Sequence, residues 1–192
     1  MKVPMKVPMK IPMKIDRVAV VLLVALSTVA ARAQSQPSTN PVSQAIKDGW
    51  NSAKQNIAGS AKVMPEDKYS FKPVNSVRTF GEIIAHVAGA NYISCSAARG
   101  EKPPHTEDAF EKSAKTRAAI LKAWEESVKY CDAAYDALDD RKLAESVAAP
   151  FGGGQTTRAS ALMGNTGHLQ EHYGNLVTYL RINGLVPPSS AQ

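Results

Sequence analysis

The chain has four histidines, at positions 86, 105, 168 and 172. His168 and His172 are four residues apart in a stretch where Leu162, Leu169, Leu176 and Leu180 recur at helical spacing. Residues i and i+4 share a helical face, so the two rings lie together. His172 falls between Leu169 and Leu176 on the apolar stripe, with His168 one turn earlier. His86 lies between Ile83 and Ala90 of a second helical stretch and also faces inward. A histidine pair at this spacing supplies two metal ligands, and a third from a facing helix makes three nitrogens. At least one coordination position is then left for water, the pattern of an open site. The plainer reading of an isolated His-x-x-x-His pair is two solvated or hydrogen-bonded side chains. Against it, burying unpartnered imidazoles costs free energy that coordination would offset. His105, in Pro103-Pro104-His105-Thr106, reads as a loop residue outside the constellation.

Other polar residues lie near these histidines in sequence. Glu82, Asn91, Asn165, Glu171 and Tyr173 are candidates to fix an imidazole tautomer. Glu82 has a competing role in a helix cap, and Glu171 points about 100° away from His172 on the helical wheel. None reads as a catalytic base. Gly152-Gly153-Gly154 precedes a helix but lacks the Gly-Lys-Ser/Thr ending of a phosphate loop, so it reads as a connector that could form a rim over a pocket. Trp50 and Trp124 fall at core positions of helices.

Four helical stretches position these residues. Asn40-Pro41 reads as a cap followed by proline at the first helical position. The first helix carries Val42, Ile46, Trp50 and Ile57 to about Gly59. Thr79-Phe80-Gly81-Glu82 has capping-box spacing and opens the second helix, which Gly100 stops. The third is expected from Thr106 to Leu138, because an acidic pair, Asp139-Asp140, is unfavourable beyond a helix C-terminus. The fourth starts near Thr156-Thr157 and ends at Asn183-Gly184, with Pro187 and Pro188 beyond. No strand signal competes, so the expectation is an all-α four-helix bundle.

The first 33 residues read as a cleaved signal peptide. Lys2, Lys6, Lys10, Lys14 and Arg17 form a basic region, and Val18 to Leu26 a short apolar run. Ala31-Arg32-Ala33 is a small-x-small cleavage site, so Gln34 would begin the mature protein. The run is about half the roughly 20 residues of a membrane span, so no stable membrane insertion is expected after cleavage. Residues 34–39 read as a linker and residues 40–192 as the bundle. Six of the 23 basic residues and one of the 17 acidic residues belong to the leader. Residues 34–192 therefore carry 17 basic against 16 acidic side chains, which offers no basic surface for nucleic acid. The location implied is periplasmic or secreted, a compartment that permits disulfides.

With these residues laid out, the chain resembles the DinB superfamily. The resemblance rests on His168-Leu-Gln-Glu-His172-Tyr-Gly-Asn-Leu-Val-Thr-Tyr in the last helix. It rests also on Tyr69-Ser-Phe-Lys-Pro73 followed by Arg78-Thr-Phe-Gly-Glu-Ile-Ile-Ala-His86. It implies a bundle in up-down-down-up order with a divalent metal, often zinc or nickel, on His86, His168 and His172. That order would place the last turns of the second and third helices at the same end of the bundle, where Cys95 and Cys131 could pair. Two buried thiols are the alternative. Antiparallel helices would hold the two cysteines far beyond the roughly 7 Å Cα separation a disulfide allows.

Two functions follow as expectations. One is a metal-dependent enzyme, a transferase or hydrolase of unknown small-molecule substrate. The other is a metal-binding or stress-response bundle without chemistry. The resemblance also implies, for some members, reactions using low-molecular-weight thiols, but an export signal points away from a cytosolic thiol. Zinc is the first expectation and nickel the next. A homodimer is left open.

Overall fold

The computed structural model describes residues 39–191, so the expected signal peptide and most of the expected linker lie outside the described residues. Helix α1 spans Pro41–Val63. Its N-terminus is capped from a distance. The Asp140 carboxylate accepts from the backbone N–H of Ser43 (2.7 Å) and of Val42 (3.2 Å), while Asn40 Oδ1 accepts from Asp140 N–H. Asn40 itself makes no side-chain cap bond. An anion at a helix N-terminus is stabilised by the free N–H groups and the helix dipole. The expected local cap is thus exchanged for one supplied 100 residues downstream. These hydrogen bonds also hold the Asp140 carboxyl below its ordinary range.

Helix α1 continues past Gly59, where the sequence suggested an end. A Cβ at Gly59 would crowd Pro188 at 2.8 Å, so this glycine serves close approach rather than termination. The helix stops at Val63, followed by the extended Met64, and Tyr69 donates its O–H to Ala61 O near its end.

Helix α2 spans Phe80–Arg99 with the expected capping box and a left-handed Gly100 beyond its end. The expected third helix is divided. A short helix α3, Ala109–Ser113, precedes α4, Arg117–Asp136. Ala114 is extended, and the Thr116 hydroxyl accepts from Ala119 N–H to start α4 anew. A hairpin, strands β1 (Ser146–Ala148) and β2 (Gln155–Thr157), follows as a departure from an all-α chain. Helix α5 spans Arg158–Ile182 and is capped by Thr157. Single turns of 3₁₀ helix at Glu66–Lys68 and Pro188–Ser190 complete the described elements. No helix of the described residues is long and apolar enough to cross a membrane.

Residue pairs give the helix directions. Asn91 bonds Ser127 and Cys95 pairs with Cys131, each pair 36 residues apart, so α2 and α4 run parallel. Lys47 reaches Asp136 and Lys54 reaches Asp132, so α1 runs against α4. Tyr179 bonds the Arg78 carbonyl, Asn165 bonds Asn91, and Arg158 bonds the Ala98 carbonyl, so α5 runs against α2. The long helices are therefore ordered up, down, down, up. Their core contains Trp50 stacked on Tyr135 at 4.6 Å, with Phe80, Leu162, Leu169 and Leu176 fully buried. The Cys95–Cys131 disulfide joins α2 to α4, with its Cα atoms 5.3 Å apart.

Candidate metal centre

The capping box fixes where α2 begins. Thr79 accepts from Glu82 N–H, and the Glu82 carboxylate accepts from Thr79 N–H at 2.8 Å. That backbone hydrogen bond holds the Glu82 carboxyl below its usual range. Glu82 therefore belongs to the cap, and His86 lies one turn further along on the face toward α5. On α5, the Leu162-Leu169-Leu176 stripe packs into the core and carries His168 and His172 toward α2.

The three rings meet through their Nε2 atoms. His86 Nε2 lies 3.2 Å from His168 Nε2, and His172 Nε2 lies 3.0 Å from the same atom. The ligand atoms of all three fall within 4.8 Å of one another, and His86 and His172 are buried. Zinc–nitrogen bonds of about 2.0–2.1 Å in a tetrahedral site place two ligand nitrogens roughly 3.3 Å apart. Three imidazole nitrogens at this spacing fit a shared divalent cation. Two neutral rings can share only one proton across a nitrogen–nitrogen contact, so the convergent lone pairs otherwise face one another.

The second nitrogen of each ring has a different setting. His86 Nδ1 lies 2.9 Å from Glu111 Oε1, on α3. A proton on Nδ1 donated to this carboxylate leaves the Nε2 lone pair free for a metal, the usual carboxylate–histidine–metal arrangement. Glu111 is held in turn by Arg78, whose Nε lies 2.8 Å from Oε2. His172 Nδ1 lies 3.4 Å from the Asn175 amide. His168 Nδ1 is buried without a partner among the described residues, so the polar contacts of that ring all converge on the shared point.

Burial keeps the pair on α5 neutral. It lowers the pKa of His168, with the neighbouring His86 adding to the effect. It lowers that of His172 to about 3, with repulsion from His168 and His86 next in order. Neutral imidazole is the metal-binding form.

Two cavities flank the cluster. One of about 640 Å³ has polar walls that include Arg78, Glu111, Glu171, His172 and Asn175. The other, of about 280 Å³, is lined by His168, Ser94 and Phe151 beneath the hairpin. The Gly152–Gly154 connector is the hairpin loop, and the second cavity is lined by Ala149, Pro150 and Phe151 just before it and by Thr156 after it, not by the glycines themselves.

The structure separates the remaining candidates. His105 packs its ring on Tyr92 and Phe110 at 4.7 and 4.9 Å, away from the cluster. Tyr173 bonds Ser189, and Glu171 is exposed in the cavity wall. Asn91 and Asn165 bond each other beside the disulfide, so they serve the core rather than an imidazole. Glu111 and Glu107 did not emerge from the sequence. They lie beyond α2 in a stretch of mixed charge, and it is the packing of the segment before α4 back against α2 that brings them to His86.

The family model of the DinB superfamily matches residues 50–176. No curated protein matches the chain significantly. Among solved structures, a DinB-like protein from Bacillus cereus ATCC 10987 is 16% identical with a TM-score of 0.59, over 76% of this chain and 95% of that one. A DinB-like protein from Bacillus subtilis is 20% identical with a TM-score of 0.54, over 72% and 91%. A mycothiol-dependent maleylpyruvate isomerase is 16% identical with a TM-score of 0.56, over 70% of this chain and 60% of its own length. Identities this low establish the shared fold. The match of the family model over most of the residues that build the bundle goes further, and the chain belongs to the DinB superfamily.

Proposed function

We propose that this protein is an exported metalloprotein that holds one divalent cation on His86, His168 and His172 and acts on a small molecule in the adjoining polar cavity. The observation that carries the reading is the convergence of three Nε2 atoms at 3.0 and 3.2 Å spacings. Zinc is the first choice and nickel the next, since imidazole suits both. The bound cation would polarise an electrophile or lower the pKa of a bound water or thiol. The side chains then have distinct tasks. Glu111 orients His86 through Nδ1, and Arg78 holds Glu111 in place. Ile83 and Leu169, neighbours of the histidines on their helices, are themselves buried.

The cavity beside His172 favours a catalytic reading over a bundle that only stores metal. It is of the size that admits small-molecule ligands, which occupy about 300–1,000 Å³. Its polar wall would recognise a polar substrate, in a transferase or hydrolase reaction. The disulfide supports residence outside the cytosol, in the periplasm or beyond it.

Metal stoichiometry tests the reading. The purified exported protein should carry one divalent ion per chain. His86→Ala, His168→Ala and His172→Ala should each abolish tight binding, and His105→Ala should retain it. Retention of full affinity in His168→Ala would overturn the proposal.

A further inference from the structure

We propose that Glu107 supplies a fourth protein ligand to this metal through a carboxylate oxygen. The inference rests on the three-histidine reading above and deepens it. Glu107 sits in the segment between α2 and α3, and its Oε1 lies 3.6 Å from His86 Nε2. That is the same nitrogen that meets His168 Nε2 at 3.2 Å. Two ligands on one tetrahedral zinc stand roughly 3.3 Å apart, so the carboxylate stands near ligand spacing on the His86 side, just outside the tight group that the three histidines form. His86 is the one ion-pair partner of Glu107 among the described residues.

The chemistry of His86 sharpens the point. Its Nδ1 proton is engaged by Glu111 at 2.9 Å. In the neutral ring, Nε2 then carries a lone pair, and a carboxylate oxygen facing it is acceptor against acceptor. A proton on Nε2 or a metal cation between them would resolve the conflict, and only the metal would also engage the lone pairs of His168 and His172 that converge there.

Gly89 shows how the position is built. It lies on α2 three residues after His86, on the same face. A Cβ there would overlap the backbone carbonyl of Glu107. Glycine inside a helix is disfavoured unless close approach requires it. Here it forms a notch that seats the Glu107 backbone flush against α2 and so keeps its carboxylate within reach of His86. With three neutral imidazoles and one carboxylate, a bound dication would retain a net charge of about +1 and a site open to expansion to five ligands.

Zinc affinity by competition with a chromophoric chelator, and visible absorption of the cobalt(II) form, test the assignment on the full exported chain. Glu107→Gln should weaken zinc binding by about tenfold or more and change the cobalt ligand-field bands, because water replaces a carboxylate. Gly89→Ala should do the same by displacing the backbone that carries Glu107. Glu107 is half exposed, so Glu107→Gln should keep the helical circular dichroism. Wild-type affinity and an unaltered cobalt spectrum in Glu107→Gln would overturn the fourth ligand while leaving the histidines in place. Absence of metal binding in the wild type, or full binding in His168→Ala, would remove the three-histidine reading and this inference with it.

Discussion

His86 Nδ1 and Glu111 Oε1 lie 2.9 Å apart, joining a helix of the bundle to a short helix outside it. The contact fixes which nitrogen of His86 faces the other two rings. Glu111→Gln should weaken metal binding by roughly 10–100-fold, the usual cost of losing such a partner. Calorimetric titration with zinc checks it, and affinity equal to wild type would show that Glu111 only anchors Arg78.

The depressed pKa values set the pH behaviour of the metal-free protein. His172 titrates at about 3 when folded, against about 6.5 for an unfolded histidine. The unfolded chain therefore binds more protons between these values, and folding stability falls as pH drops from about 6.5 toward 3. His168 shifts in the same direction. Urea midpoints at pH 7.5 and 5 should show a loss in the metal-free protein, and a smaller loss in His172→Gln. An equal loss in both would assign the effect to other groups.

Protons compete with metal at these nitrogens only below their folded pKa values. Zinc affinity should therefore hold as pH falls through 6.5 better than free imidazole would allow. A decline centred at 6.5 would mean that burial of His168 and His172 does not govern the competition.

The Cys95–Cys131 disulfide closes a loop between residues 36 apart in sequence. Loop-closure entropy for that length gives about 3–4 kcal/mol of stabilisation. The double variant Cys95→Ala, Cys131→Ala should lose about 2–4 kcal/mol in chemical denaturation. Denatured, unreduced protein should titrate no free thiols, and two thiols per chain would show the cysteines unpaired.

Chelation should leave the helices intact. The core of Trp50, Tyr135, Phe80 and the α5 leucines is packed without any contribution from the metal. Circular dichroism before and after chelator checks this, and loss of most helical signal would make the site a structural clamp.

Much of this was legible in the sequence, for definite physical reasons. The i, i+4 histidines and the Thr79–Glu82 box are local patterns, and helical geometry converts them directly into positions. The break at Ala114–Thr116 was not legible, because Phe110, Ala114, Ala118 and Leu121 keep apolar periodicity across it. Asp140 capping α1 spans 100 residues and leaves no local trace. The hairpin strands are three residues each, too short for alternation to register against their flanks.

The parallel run of α2 and α4 imposes a return journey. Having descended about 30 Å along the 20 residues of α2, the chain must climb back before α4 can begin. Residues 100–116 make that climb, and 17 residues could span about 56 Å if fully extended. The connection thus has slack to fold α3 and to settle against Gly89 on the way. Glu107 and Glu111 are delivered to the histidines by this overpass, whereas the histidines come from the pillars. Changes in the length or composition of the overpass would alter the polar groups around a fixed trio of nitrogens. The carboxylates beside the nitrogens can vary there while the core stays unaltered.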